Sequence, residues 1–281
     1  MVYETGMASF EKERAVAEAA AREAGAIVRR YYEKPIEQVV KSDKGAGREE
    51  NWLTQADSES DDLLKARLLG AFPEYGWLSE ETADSPDRLR RERVWIVDPL
   101  DGTREFTLRV PEFCVCVALV ENGKPVVGVE YNPATDRLYS AARGAGTTLN
   151  GTPARVSTTE HVALAQVLAS RSEDKRGEWD PFKQYCHVVL TGSVAYKLAE
   201  LSAGNGDATF TLTPKNEWDI CAGTVLVEEA GGKVTGLDGN PLVFNQPSPL
   251  RPGMIASNRL LHPGLMTLID AYGGEIKKKA R

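Results

Sequence analysis

Apolar residues open the chain at helical spacing. Val16, Ala20, Ala24, Ile27 and Tyr31 fall three or four apart among Glu, Lys and Arg, which predicts an amphipathic helix over residues 9–32. Ser9 is its expected N-cap, Glu11 and Glu13 suit the first turn, and Pro35 closes the stretch. Residues 41–51 are polar and glycine-containing and predict a loop. A second helix is expected over residues 55–72, with Leu63, Leu64, Leu68 and Leu69 on its apolar side and Pro73 at its end.

Strand patterns follow. Residues 93–98, 113–120, 126–131 and 137–142 are short apolar runs, and Asn122-Gly123 between the second and third is a hairpin signal. Further on, helices are expected over residues 193–202, 219–230 and 260–271, and strands over 208–212 and 254–256. Gly231-Gly232 stands in the C-cap position of the middle helix. Helices layered with antiparallel hairpins predict an α+β fold. A boundary near residues 144–160 divides it into halves 1–150 and 151–281 of one continuous fold.

Composition narrows the function. The 281 residues can bury a substantial core, and 34 Lys and Arg against 41 Asp and Glu leave a net charge of −7. That balance argues against a nucleic-acid polymer as partner, because binding one needs a clustered basic surface. No apolar run spans a bilayer, so no membrane partner is expected. The first residues lack the basic and apolar regions of a signal peptide, and four Cys are too few for a disulfide framework. Together these predict a cytoplasmic protein. Cys114 and Cys116, two apart on a strand, read as core, as do Cys186 and Cys221. Three distant histidines, His161, His187 and His262, make no zinc site. The basic residues 277–281 read as a frayed terminus.

The most informative stretch is Trp95-Ile96-Val97-Asp98-Pro99-Leu100-Asp101-Gly102-Thr103-Arg104-Glu105-Phe106. An apolar strand delivers Asp98 at its end and Asp101 three residues later. Two carboxylates on a tight turn, with the Leu100 carbonyl between them, offer hard oxygen ligands to a small divalent cation. Gly102 allows close backbone approach, and the amides of Gly102 and Thr103 can point at a phosphate. An isolated Asp-rich turn satisfies its own backbone, but matching pieces occur elsewhere. Glu80-Glu81 follows the apolar Trp77-Leu78, Asp57 opens the second helix, and Trp218-Asp219 opens another. Alone, Asp57 and Asp219 would read as helix caps.

In order, Asp57, Glu80-Glu81, Asp98-Pro99-Leu100-Asp101-Gly102-Thr103 and Trp218-Asp219-Ile220-Cys221-Ala222-Gly223 resemble the magnesium-dependent, lithium-sensitive phosphatases of the inositol monophosphatase and fructose-1,6-bisphosphatase superfamily. The resemblance covers about residues 10–270. It implies a layered α/β/α/β/α sandwich and a phosphomonoesterase. Carried over by motif, Glu80, Asp98 and the Leu100 carbonyl would hold one Mg²⁺, and Asp98, Asp101 and Asp219 a second. A third, weaker Mg²⁺ would lie near Glu80 and Asp57. Thr103 and Asp57 would take the proton of an attacking water, with Glu81 orienting it, and Gly102 and Thr103 would cradle the phosphate. Homodimers are common among such relatives. The acids of D-x-D-G-T phosphatases, which use an aspartyl nucleophile, are spaced differently, so that route is disfavoured.

For substrate, Arg104-Glu105-Phe106 after the Gly-Thr is similar to the bacterial 3′(2′),5′-bisphosphate nucleotidases of sulfate assimilation. Inositol monophosphatases place a sugar-binding Glu seven residues before the Trp-Asp acid, where this chain has Leu212. Gly192, Ser193 and Lys197 resemble the nucleotide side of the nucleotidases, and Lys197 or Arg104 would suit a second phosphate. The nucleotidases' Ser-Pro before the first Asp is missing between Lys41-Ser42-Asp43 and Asn51-Trp52-Leu53-Thr54. The expected substrate is therefore adenosine 3′(2′),5′-bisphosphate or its sulfate analogue. An inositol or sugar phosphate is the alternative within the fold, and a silent phosphoinositide- or nucleotide-binding protein is the non-enzymatic one.

Overall fold

Alternation along the strands explains the layers. The computed structural model describes residues 10–33, 38–41 and 51–279. Its larger sheet has seven strands in sequence order: β3 (Gly76–Ser79), β4 (Arg93–Asp101), β5 (Cys114–Glu121), β6 (Lys124–Asn132), β7 (Arg137–Ala142), β8 (Gly146–Leu149) and β9 (Thr152–Ala154). Only the β3–β4 pair is parallel. Trp95 and Val97 of β4 join the core under α1 (Glu11–Tyr32) and α2 (Gln55–Ala71). Val94 and Ile96 face the other way, onto α5 (Val194–Ser202) and α6 (Glu217–Glu229). A sheet covered on both faces needs apolar residues at every position, which is why these strands read as unbroken apolar runs.

The second sheet has the order β11-β10-β12-β16-β14, from β10 (Gln166–Ala169), β11 (His187–Leu190), β12 (Ala208–Thr211), β14 (Lys233–Thr235) and β16 (Met254–Ser257). Val234, Met254 and Ala256 pack toward α5 and α6, whereas Val167, Phe210 and Ile255 pack on α7 (His262–Lys279). The result is helix pair, sheet, helix pair, sheet, helix: the layered α+β sandwich. Two small antiparallel pairs complete it, β1 (Gln38–Lys41) with β2 (Asn51–Thr54) and β13 (Lys215–Asn216) with β15 (Leu250–Arg251). A short helix α3 (Thr103–Thr107) follows β4, and α4 (Arg171–Lys175) follows β10.

Several expectations need adjusting. Lys41 and Asn51 belong to the β1–β2 pair rather than to a loop, and residues 42–50 lie outside the described residues, as do Ser9 and Pro35. Phe10 stands at the N-cap of α1. Asp57 lies within the first turn of α2 instead of capping it. The last helix runs to Lys279, so residues 277–279 continue it, with 280–281 outside the description. The hairpin signal holds: Asn122 (φ 49°) and Gly123 (φ 78°) turn β5 into β6, with Glu121 opposite Lys124. Strands β1 to β3, β8 to β11 and β13 to β15 are not marked by the sequence pattern; each is four residues or fewer, too short for a period to declare itself.

Candidate active site

The acid motif works because its strand is irregular. Asp98 pairs with Cys116 and Asp101 with Cys114, so three residues of β4 span two of β5. One extra residue is a β-bulge, and here it coincides with Pro99, which could not donate to the ladder. Cys114 and Cys116, two apart, share a face of β5. The bulge therefore turns Asp98 and Asp101, which strict alternation would send to opposite faces, to the same side. The Leu100 amide donates to Asp98 Oδ1 at 2.9 Å, and the Thr103 hydroxyl donates to the Leu100 carbonyl at 3.1 Å. Gly102, at φ 92°, then leads into α3. A Cβ there would sit 2.9 Å from the Glu112 carbonyl oxygen and 3.0 Å from the Ser193 Cβ, so both backbone and space require glycine.

Asp219 arrives from α6. It occupies the N3 position of a capping box, its Oδ2 accepting from the Asn216 amide at 3.0 Å. One carboxylate oxygen from each of Asp98, Asp101 and Asp219 lies within 4.8 Å of the others. Glu80, just past β3, lines the same cavity. Asp101 Oδ2 is held from α5, accepting from the Ser193 hydroxyl and from the Ala195 amide at 2.7 Å. Ser193 caps α5 and has φ 52°, a left-handed backbone uncommon for a residue with a side chain.

These acids are poorly compatible with one another unless a cation intervenes. Burial, followed by the charges of Asp219, Asp57 and Glu81, pushes the Glu80 carboxyl well above the usual range. Burial also raises Asp98, aided by Glu80, Asp101 and Asp219. Asp219 is pushed up to about 7, again by burial first and Asp101 second. Converging, desolvated carboxylates of this kind are the donor set of a hard divalent ion, and the set contains no imidazole or thiolate. The residues fit Mg²⁺ better than a soft metal.

The cavity, of about 520 Å³, brings together Glu80, Asp98, Leu100, Asp101, Gly102, Thr103, Arg104, Gly192, Ser193, Lys197 and Asp219. Of the residues singled out from the sequence, Asp57 and Glu81 are not among its described lining; Asp57 is 3% exposed. Gly192 has a steric reason: a Cβ there would come within 2.2 Å of the Glu105 side chain. Lys197 is 5% exposed, and burial lowers its ammonium to about 8 against the pull of Glu173.

Sequence reasoning missed Lys215, Ser170, Ser172 and Asn216, which also line the cavity together with Glu105 of the Arg104-Glu105-Phe106 motif. Lys215 stands 3.6 Å from Glu173, itself 3% exposed and accepting from Thr211 at 2.7 Å. Arg104 Nη1 donates to Ser172 Oγ at 3.0 Å, tying α3 to α4. The one available signal for Lys215 was its position four residues before Asp219, at the entry to α6. Leu212, by contrast, is half-buried against the core of the second sheet and is not among the lining residues.

Residues 10–273 match the model of the inositol monophosphatase family. An inositol-1-monophosphatase of Mesorhizobium japonicum is 34% identical over 234 residues, covering 80% of this chain and 84% of the relative. The Nus factor SuhB of Escherichia coli K12 is 31% identical over 233 residues, covering 80% and 85%. Among solved structures, an inositol monophosphatase from Anabaena aligns with TM-score 0.78 at 29% identity, over 93% of this chain and 96% of that one. The IMPase of Thermotoga maritima aligns with TM-score 0.82 at 26% identity, over 94% and 99%.

Proposed function

The chain belongs to the inositol monophosphatase family and is a hydrolase of phosphomonoesters, and on that premise we propose that it removes the 3′(2′)-phosphate of a nucleoside 3′(2′),5′-bisphosphate. One observation carries the choice of substrate. The cavity that contains the acids also contains two lysines, Lys197 and Lys215, together with Arg104. A monoester engages the acid part through cations; a second phosphate meets two lysines that share the single negative charge of Glu173. Leu212, half-buried against the core of the second sheet, supports the same reading, because it offers no carboxylate to the hydroxyls of an inositol ring.

In this reading Glu80, Asp98, Asp101, Asp219 and the Leu100 carbonyl would hold two Mg²⁺, and a third, weaker one would lie near Glu80 and Asp57. When bound, such cations neutralise the acids, polarise the phosphoryl oxygens and lower the pKa of water. The amides of Gly102 and Thr103 bind the phosphoryl oxygens. The Thr103 hydroxyl would take the proton of the attacking water as it passes its own to Asp57, which holds it, and Glu81 would orient that water. The ester P–O bond breaks, and the departing nucleoside oxygen takes up a proton from solvent. Ser193 and the Ala195 amide keep one oxygen of Asp101 engaged, which fixes the direction of the other. Lys197, Lys215 and Arg104 bind the second phosphate.

A second reading, an inositol-phosphate phosphatase, is favoured by the names of the relatives. Turnover of adenosine 3′,5′-bisphosphate, adenosine 2′,5′-bisphosphate and inositol 1-phosphate, compared with Mg²⁺ present, separates the two. A higher kcat/KM for inositol 1-phosphate would reject the nucleotidase. Millimolar Li⁺ is expected to inhibit either activity.

A further inference from the structure

Four residues beyond Asp57, on the same face of α2, lies a second buried acid, Asp61, 4% exposed. It does not line the cavity, and no motif singles it out. Both its oxygens are engaged by hydroxyls that flank the Glu80-Glu81 turn. Ser79 Oγ donates to Oδ1 and Thr82 Oγ1 donates to Oδ2. Ser79 Oγ in turn accepts from the Glu81 amide at 3.4 Å. The turn is otherwise tied to the sheet by the Glu80 amide, which donates to the Val97 carbonyl at 3.3 Å. One carboxylate thus links the helix that carries Asp57 to the turn that carries Glu80. Those two acids repel, so their separation needs a mechanical tie. A carboxylate suits this position because it accepts from both hydroxyls at once; an amide accepts through one oxygen only and would have to donate to the other hydroxyl, which must then turn its own hydrogen elsewhere.

We propose that Asp61 is a positioning residue that fixes the spacing between Asp57 and the Glu80-Glu81 turn, and thereby sets divalent-cation affinity on the Glu80 side of the acid cluster. The proposal rests on the cation-dependent reading above. It is tested by binding rather than turnover, with Mn²⁺ titrated into the full chain and followed by electron paramagnetic resonance, and Mg²⁺ by calorimetry. Asp61→Asn, Ser79→Ala and Thr82→Val are each expected to weaken one class of site about tenfold or more, the usual effect of removing a group behind a metal ligand. The remaining sites should stay within about twofold of wild type if only the Glu80 side loosens. Activity at saturating Mg²⁺ should fall much less than the Mg²⁺ concentration for half-activation rises. Ser60→Ala removes a neighbouring buried hydroxyl, which donates to the Ala24 carbonyl at 3.5 Å, and should leave cation binding unchanged even where the melting temperature falls. Should Asp61→Asn fail to fold, the two hydroxyl variants decide the matter, since each keeps the carboxylate. Wild-type affinity and stoichiometry in those variants would overturn the inference alone. A wild-type protein that binds no divalent cation would overturn it together with the proposed function.

Discussion

The acids and the lysines share one cavity but are supplied in different ways. Asp98 and Asp101 leave a single strand three residues apart, and a bulge at Pro99 turns both to one side. Asp219 sits in the first turn of α6, fixed by its own helix's capping box. Lys197 comes from the first turns of α5 and Lys215 from a two-residue strand, and both answer to Glu173 on α4. Local rules therefore fix how each acid is presented on its own element, whereas the state of each lysine is set by Glu173 on another; both parts come together only when separate elements pack. The seam between them is Ser193, whose hydroxyl reaches Asp101 while its backbone opens the helix of Lys197.

If the acids are the cation site, the largest loss follows from breaking it. Asp98→Asn should lower kcat/KM about a thousandfold for every phosphomonoester, a barrier increase of roughly 4 kcal/mol. Removing divalent cations with a chelator should abolish turnover reversibly and lower the melting temperature, because four buried or half-buried acids then face one another. Turnover that survives chelation would sink the cation mechanism.

The basic part should matter selectively. Lys197→Met is expected to raise KM for a nucleoside bisphosphate by about ten- to a hundredfold, the loss of one charged hydrogen bond in a desolvated site. KM for a monophosphate should hardly move, and equal losses on both substrates would refute the division of labour. A smaller, pH-dependent effect goes with it. Burial lowers the Lys197 ammonium to about 8, so its charge is lost as pH rises through that value. KM for the bisphosphate should climb above pH 8 while kcat stays level, and Lys197→Arg should flatten the profile. The stability sign is the reverse. Between pH 8 and 10.5 the unfolded chain retains a proton that the folded site has released, so this group's penalty on folding shrinks as pH rises.

The seam should give the smallest effect. Ser193→Ala removes an N-cap whose Oγ accepts from the Tyr196 amide at 2.9 Å, a loss of about 1 kcal/mol measurable by denaturant titration. Asp101 keeps the Ala195 amide, so kcat should fall less than about tenfold, below what full loss of a charge-assisted bond would cost. A fall as large as that of Asp98→Asn would mean that the two parts are a single unit.

The Asp98 and Asp101 pair was legible in the sequence from its immediate neighbours, whereas Glu80 and Asp219 were tied to it by the order of the motifs and their resemblance to a family. Apolar residues precede Asp98 and Glu80, Gly102 marks the turn that only glycine can make, and Trp218 precedes Asp219 at a helix start. The helices and the long buried strands were legible for the same reason, since period 3.6 and unbroken apolar runs are local properties. Short strands such as β10 and β14 were not, because three or four residues carry no period. The assignments of Gly192 and Lys197 to the cavity came from resemblance. Lys215 and Ser172 were overlooked, for nothing beside them in the chain says what lies across the cavity.

By itself, then, the sequence determined that Asp98 and Asp101 share a turn after a strand, that Asp219 stands at a helix start, and that the layers are helix and sheet; that Glu80 and Asp219 join the turn was carried by resemblance. Tertiary structure alone decided that Glu173 faces both lysines, that Ser193 holds Asp101 from another element, and that Asp61 ties α2 to the Glu80 turn. The physical reason is the range of the forces involved. Backbone torsion and capping act within a turn or two of chain, whereas burial and charge depend on neighbours more than a dozen residues away, which packing alone selects.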